Sequence, residues 1–323
     1  LKGRVLVVDD DAGVRRSIAD GLGKEGFEVT GCSDGVSAMY ELEGSVRAGK
    51  PLGYLVTDIV LPDVDGLKFP VAVRYRYPDL PIIVLTGYGN ERIKESALSL
   101  GKVFYFEKPP DLPELVKKMN ETTPGTGKIS GDNGSRTSGT HSAVLTMKIS
   151  KPEKSLDVYG TVRGIDGVIE CYTVRGDCDV VLFVEAATGD DLDRVIGKIR
   201  SVEDSEVVSL MPVTDPGLDE DIRVFVDACL GSGSPGDVVA TESSSMIFYY
   251  LDIDPEEVRK IYIRAFFTDD AVWCHAVNDG TGLVLLVKSP GTVGRKPGVI
   301  ERLDDMDGVL RIREARIIDL KAD

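Results

Sequence analysis

Four apolar runs in the first third of the chain stop abruptly at charged or hydroxyl side chains. Arg4-Val5-Leu6-Val7-Val8 runs into Asp9-Asp10-Asp11, and Tyr54-Leu55-Val56-Thr57 into Asp58. Pro81-Ile82-Ile83-Val84-Leu85 stops at Thr86, and Val103-Phe104-Tyr105-Phe106 at Glu107-Lys108-Pro109. Short β-rich runs of this kind predict strands buried on both faces of a parallel sheet. Their ends bring carboxylates, a hydroxyl and an ammonium to the carboxyl edge, where open α/β sheets keep their chemistry. Two carboxylates about 4 Å apart repel by roughly 4 kcal/mol at an effective dielectric near 20, so several cannot share one place unaided. A hard divalent cation resolves the conflict, and Mg²⁺ takes a few carboxylates, water and a substrate phosphate. A carboxylate beside such an ion and a lysine is a nucleophile toward phosphorus, which would make Asp58 a phosphoryl acceptor. The hydroxyl of Thr86 and the ammonium of Lys108 would then hold two of the phosphoryl oxygens.

Helices are expected between these strands. Ala12 to Gly26 carries Val14, Ile18 and Leu22 on one face. Ser37 to Gly49, Leu67 to Tyr77, Asn90 to Leu100 and Asp111 to Asn120 follow, with Phe27-Glu28-Val29-Thr30 as the second strand. Strict alternation of strand and helix predicts an α/β domain, doubly wound, with helices on both faces of a parallel sheet. Pro70 and Pro113 are compatible with helix only in a first turn.

Asp9-Asp10, Thr57-Asp58, the turn Pro62-Asp63-Val64-Asp65-Gly66, Thr86-Gly87 and Lys108-Pro109 come in order after successive strands. In this, residues 3–120 resemble the receiver domain of two-component response regulators. The resemblance implies a flavodoxin-like receiver domain over residues 1–120, phosphorylated on Asp58 by a sensor histidine kinase. It further implies that Asp9, Asp10 and Asp58 hold Mg²⁺ together with the backbone carbonyl of Val60. Lys108 and Thr86 would act on the phosphoryl group, and Thr86 and Tyr105 would move together as a switch. Val60 stands where that family often has a polar residue, a difference that bears on phosphoryl lifetime. The alternative is a doubly wound domain whose acidic loops carry no chemistry.

The 323 residues allow two or three domains. Net charge is −16, unevenly spread: residues 1–120 carry 16 Lys+Arg against 18 Asp+Glu, the remainder 22 against 36. The acidity therefore lies in the back two-thirds, which makes a poor surface for the phosphates of nucleic acid. Arg311, Arg313 and Arg316 cluster on an expected strand and read as a solvated face. No apolar run is long enough to span a bilayer and no leader-like stretch precedes the first strand, so a cytoplasmic chain with no membrane partner is expected. Cys32, Cys171, Cys178, Cys229 and Cys274, with His141 and His275, lack zinc-site spacing and read as reduced thiols and structural imidazoles. Residues 121–142 are rich in Gly, Ser and Thr, with Ile129 the one large aliphatic, and read as a flexible linker with no room for a helical DNA reader.

From Ala143 onward the pattern is α+β: tandem ferredoxin-like (βαββαβ) units. The first, residues 143–216, places strands at Ala143–Ile149, Gly167–Val174, Val180–Val184 and Val207–Met211. Its helices are Lys154–Arg163 and Asp190–Ser201. The second, residues 217–323, is expected to open with a strand at Ile222–Cys229, followed by an insertion over 231–254. A helix at Pro255–Ala265, strands at Val272–Val277 and Leu283–Lys288, a helix at Arg295–Leu303 and a strand at Val309–Ile318 complete it. Through Gly164-Ile165-Asp166-Gly167-Val168-Ile169-Glu170-Cys171-Tyr172-Thr173-Val174 and Arg175-Gly176-Asp177-Cys178-Asp179-Val180-Val181-Leu182, the first unit resembles the effector-sensing (RAM) domain of leucine-responsive (Lrp/AsnC) regulators. The resemblance implies edge-to-edge pairing of sheets and a small effector, commonly an amino acid, near the Gly-Asp turn, with Gly176, Asp177 and Asp179 as candidate contacts. Turn chemistry alone also accounts for those three. One chain with two units would make the paired assembly by itself; a homodimer is the alternative. Phe248-Tyr249-Tyr250 reads as core or lid packing or as a partner-binding knob, and His275 beside Trp273 as structural. Arg295-Lys296-Pro297-Gly298 would suit an anion at a helix start.

These features lead to the expectation of a response regulator whose output is protein association or effector sensing, without direct DNA contact. A downstream protein, such as a transcription factor, would be the partner. Two alternatives remain open: a transcription regulator that grips DNA through an atypical surface or through a partner, and an enzyme output in the C-terminal pair. The back half offers no nucleophile–base set or metal cluster, so no enzyme activity is expected beyond the receiver's own phosphorylation and dephosphorylation.

Overall fold

A computed structural model of the chain describes residues 2–64, 66–87, 91–130, 140–231, 246–289 and 296–318. The chain divides into two compact units. The first comprises Leu1–Ser135, Leu218–Ala240 and Phe267–Asp269, and the second Arg136–Gly217, Thr241–Phe266 and Asp270–Asp323.

In the first unit, strands β1 (Arg4–Val8), β2 (Glu28–Cys32), β3 (Tyr54–Asp58), β4 (Ile82–Thr86) and β5 (Val103–Glu107) form one sheet in the order β2-β1-β3-β4-β5. Every pairing is parallel, the flavodoxin-like arrangement that alternation predicted. Helices α1 (Ala12–Lys24), α2 (Gly35–Arg47), α3 (Lys68–Arg76), α4 (Glu91–Ser99) and α5 (Leu112–Asn120) connect the strands. Asp11, Asp34 and Asp111 cap α1, α2 and α5 by accepting backbone N–H groups of the first turn. Pro70 and Pro113 both fall in first turns, where a missing N–H is harmless. Ile18 and Leu22 of α1 and Leu115 and Met119 of α5 pack on Val5, Val7, Val56 and Ile83 of the sheet.

Two expectations for this part of the chain are corrected. Residues 121–130 do not hang free: Gly125 N donates to Gly53 O at 2.8 Å, Thr126 N to Asp79 Oδ2 at 3.0 Å and Ser130 N to Arg76 O at 3.0 Å. Of the remainder of the expected linker, residues 131–139 lie outside the described residues, and His141 and Ser142 already belong to a strand, His141–Ile149. Residues 222–229 are not a strand but the middle of helix α8 (Glu220–Gly231), which belongs to the first unit. Its buried residues Ile222, Phe225, Val226 and Cys229 recur at helical spacing. Phe225 meets the Tyr77 ring at 6.2 Å, and Arg47 Nη2 bonds Asp221 Oδ2 at 2.7 Å.

The second unit contains both ferredoxin-like repeats. The first runs β6 (His141–Ile149), α6 (Ser155–Arg163), β7 (Val168–Arg175), β8 (Val180–Ala186), α7 (Gly189–Arg200), β9 (Ser205–Thr214). The second runs β10 (Met246–Ile253), α9 (Val258–Phe266), β11 (Ala271–Val277), β12 (Gly282–Lys288), α10 (Gly298–Asp304), β13 (Val309–Ile317). Its first strand is thus β10, inside the stretch expected to be an insertion; the remainder of that stretch, 232–245, is outside the described residues.

The two four-stranded sheets close on each other as a barrel, in the order β10-β12-β11-β9-β6-β8-β7-β13. Both joins are antiparallel and short. Ala276 and Val277 of β11 pair with Thr214 and Val213 of β9, and Arg316 and Ile317 of β13 with Arg175 and Val174 of β7. Closure pairs the sheet edges and covers the inner apolar faces, so one chain makes the edge-to-edge assembly itself. Val144, Phe183, Met211, Phe248, Val284 and Leu286 fill the interior. Phe248-Tyr249-Tyr250 is therefore buried strand, and His275 stacks on Phe183 with ring centres 4.8 Å apart. Val158 and Val162 of α6 and Ile196 and Ile199 of α7 cover the outer face of the first sheet. Arg313 departs from the solvated reading: it is half-buried and stands opposite Tyr250 across the β10–β13 pair. Among the described residues no helix is long and apolar enough to cross a membrane.

Candidate functional site

The carboxyl ends of β1 and β3 bring Asp9, Asp10 and Asp58 together, with ligand oxygens all within 4.8 Å of one another. Asp9 and Asp58 are buried and Asp10 is exposed. Asp58 is held on both sides. Its Oδ1 accepts from the backbone of Ile59 at 2.6 Å and Val60 at 3.2 Å, and its Oδ2 meets Lys108 Nζ at 2.5 Å. Asp9 Oδ1 accepts from Asp11 N at 3.0 Å. Lys108 follows β5, positioned by its own N–H on Thr86 O at 3.0 Å, and its ammonium also lies 2.6 Å from Asp9 Oδ2. Burial alone would lower the Lys108 pKa, but its hydrogen bond to Asp58 and the ion pair with Asp9 outweigh that and raise it.

One ammonium cannot balance three carboxylates. Asp9 Oδ2 is buried and, despite the nearby ammonium, lacks a hydrogen bond of ordinary geometry. A buried oxygen in that condition, among hard oxygen donors, fits a small divalent cation. Val60 lies exposed at the lip of the cluster. Thr86 is buried at the end of β4, and the β4–β5 register pairs Val84 with Tyr105, so Thr86 and Tyr105 share a sheet face. Lys94 Nζ sits 5.9 Å from the centre of the Tyr105 ring.

Three supports of this site escaped the sequence reading. Asp63, read only as part of a turn, caps the neighbouring helix: Oδ1 accepts from Gly35 N at 2.9 Å and Oδ2 from Val36 N at 2.7 Å. Gly35 is required there, because a Cβ would overlap Val64. Helix α3 begins without a cap of its own, and Asp269 supplies one by accepting from Leu67 N at 2.8 Å and Lys68 N at 3.1 Å. The only sequence hint for Asp63 was an aspartate within a Pro-Asp turn; nothing local marks Asp269. An Asp63→Ala substitution is expected to cost about 1–2 kcal/mol, as loss of a helix cap does. Urea denaturation followed by far-UV ellipticity measures it, and an unchanged midpoint would remove this role. Asp65 of the same turn lies outside the described residues.

The other candidate contacts fall on the β7–β8 turn. Asp179 Oδ2 accepts from Ile149 N at 2.8 Å, and a Cβ on Gly176 would come within 3.0 Å of Glu314 O. Both therefore have structural work at the turn, which leaves Asp177, exposed at the edge of a cavity in the barrel. The expected anion site at the start of α10 is corrected: the Asp270 carboxylate already accepts from Val299 N at 3.2 Å, and Lys296 pairs with Asp304. Arg295 is outside the described residues. No disulfide joins the five cysteines, and burial pushes the Cys229 thiol up to about 12, so it is held as an inert thiol.

Comparison with known proteins adds the family context. Residues 5–120 match the family model for the response regulator receiver domain, and residues 142–216 that for the Lrp/AsnC ligand binding domain. A probable transcriptional regulatory protein of Picosynechococcus is 35% identical over 119 residues, which are 36% of this chain and 47% of that protein. The response regulator MprA of Mycobacterium avium is 36% identical over 116 residues, 36% of this chain and 49% of that protein. A CheY-like receiver domain protein of known structure from Methanospirillum hungatei is 27% identical, covering 37% of this chain and 91% of that one with a TM-score of 0.34. The chain spans about half the length of the first two relatives. It carries a response regulator receiver domain over residues 5–120, followed by an Lrp/AsnC ligand binding domain over residues 142–216.

Proposed function

We propose that the chain is a cytoplasmic response regulator of a phosphorelay, with Asp58 accepting a phosphoryl group from a sensor histidine kinase. The observation that carries this reading is the convergence of Asp9, Asp10 and Asp58 beside Lys108. Bound Mg²⁺, held by these carboxylates and the Val60 carbonyl, would neutralise the cluster and the incoming phosphoryl oxygens. Asp58 presents a carboxylate oxygen whose orientation is set by the Ile59 and Val60 N–H groups. Lys108 exchanges its carboxylate contact for a phosphoryl oxygen, and the Thr86 hydroxyl holds another. Tyr105, on the same sheet face as Thr86, moves with it and alters the receiver surface. Incubation with acetyl phosphate and Mg²⁺ is expected to add one phosphoryl group by intact mass; no uptake would overturn the reading.

The output is protein association or small-effector sensing by the barrel, without direct DNA contact and without enzymatic turnover. The acidic back two-thirds supports it, as does the ligand-binding family of residues 142–216. Millimolar ligands from an amino-acid panel should raise the melting temperature, and a flat response would count against effector sensing. The name of the Picosynechococcus relative favours a second reading, a transcription regulator contacting DNA through an atypical surface or a partner. A gel shift at low salt separates the two, since phosphate-backbone binding is strongest there.

A further inference from the structure

Residues 59–67 carry the chain from Asp58 to the start of α3. At the near end, the Ile59 and Val60 N–H groups aim the Asp58 carboxylate by donating to its Oδ1. The loop then closes on itself, with Leu61 N on Val64 O at 3.2 Å and Gly66 N on Ile59 O at 3.0 Å. At the far end it meets Asp269, 202 residues beyond Leu67 in the chain. Both oxygens of that carboxylate accept from Leu67 N, at 2.8 and 3.0 Å, and Oδ1 accepts also from Lys68 N at 3.1 Å. Gly66 has φ +74°, and a Cβ there would overlap the Asp269 carboxylate, so glycine and carboxylate fit only together. Phe267 and Thr268 beside it are buried, and all three residues belong to the first unit although α9 and β11 flank them in sequence.

Helix α3 is fixed along its length. Phe225 of α8 meets Tyr77, Arg76 Nε bonds Glu43 Oε1 at 2.9 Å, and Ser130 N holds Arg76 O. The strand that ends at Asp58 is equally fixed by its neighbours in the sheet. The loop between these two rigid elements therefore takes its shape from the joint at Leu67 and Lys68. No side chain at the start of α3 caps those N–H groups, and a carboxylate holds them about twice as strongly as a neutral acceptor would. Without Asp269 the first turn loses its acceptor, and the bond from Gly66 to Ile59, one residue away, loses its anchor. We propose that Asp269 is a positioning residue for phosphoryl acceptance at Asp58: it fixes the loop that aims the Asp58 carboxylate and carries the Val60 carbonyl. This rests on the reading of Asp58 as acceptor, and it makes Mg²⁺ affinity and uptake rate depend on a residue outside the receiver domain at residues 5–120.

The test compares the full chain with its Asp269→Ala and Asp269→Asn variants, at a temperature where far-UV ellipticity shows each to be folded. Titration calorimetry with Mg²⁺ alone gives the metal affinity, and intact mass follows uptake from acetyl phosphate at saturating Mg²⁺. Asp269→Ala should weaken Mg²⁺ binding and slow uptake roughly tenfold or more, as removal of groups that orient metal ligands does. Asp269→Asn, whose amide oxygen can still accept from Leu67 and Lys68, should recover part of both. A cap that only stabilised α3 would lower the melting temperature of Asp269→Ala and leave the Mg²⁺ Kd and uptake rate at parental values; that result would overturn the proposal. Equal losses in the two variants would also overturn it, because charge and not the cap would be responsible. Coupling is reciprocal, so Mg²⁺ should slow hydrogen exchange at the Leu67 and Lys68 amides of the parent. Unchanged exchange there would sink the idea even if Asp269→Ala does not fold. No uptake by the parent would remove the reading of Asp58 as well, whereas parental uptake that Asp269→Ala matches removes the role of Asp269 alone.

Discussion

An Asp58→Asn chain is expected to take up no phosphoryl group from acetyl phosphate and Mg²⁺ under conditions where the parent takes up one. The amide is a poor nucleophile and removes one negative charge from the cluster that would hold the ion. It keeps the size of the aspartate, and its carbonyl oxygen can still accept from the Ile59 and Val60 N–H groups, so the fold should survive. Loss of label would then report chemistry and not unfolding. Label retained on the variant would transfer acceptance to another carboxylate. Lys108→Met should slow uptake by about 10²–10³-fold, the usual cost of removing one group that stabilises developing charge. The pKa direction sets the pH dependence. Because contacts with Asp58 and Asp9 raise the Lys108 value, the stability they contribute is fully present below the unfolded lysine value of about 10.4. It is lost only as pH rises through the folded value. Lys108 therefore stays charged across neutral pH, and any change of uptake there must have another source.

Phe248→Ala should remove about 3–5 kcal/mol from the second unit, a large part of the roughly 5–15 kcal/mol that a domain possesses. The ring is fully buried inside the barrel, 5.3 Å from Tyr172 and 5.6 Å from Trp273 between ring centres. Its strand β10 pairs with both β12 and β13, so a void there loosens three strands of the second sheet. The chain has a single tryptophan, Trp273, and it sits in this cluster. Its emission during urea denaturation reads the barrel and not the receiver. A loss below about 1 kcal/mol, within the range of ordinary surface substitutions, would mean that residues 246–253 are not core strand.

The receiver was legible because its information is local. An apolar run that ends in a carboxylate says both that a strand lies there and which edge its last residue occupies, as Val8-Asp9 and Thr57-Asp58 do. Amphipathic spacing did the same for α7, where Val195, Ile196 and Ile199 are buried on one side. The spacing of Ile222, Phe225, Val226 and Cys229 was equally present in the sequence, but β-branched and aromatic residues in a short run suit a strand as well as a helix. Packing on Tyr77 decided between them.

By itself, then, the amino-acid order determined the five receiver strands, the carboxylates at their ends, and the first ferredoxin-like repeat with its turn. Only the tertiary structure decided that Asp63 and Asp269 cap helices far away in sequence, that Met246–Ile253 begins the second repeat, and that two narrow strand pairings close a barrel with Arg313 turned toward Tyr250. Periodicity reports which face of an element is buried; which distant edge or helix end meets it depends on the shape and polar needs of both partners, and no stretch of a few residues contains both.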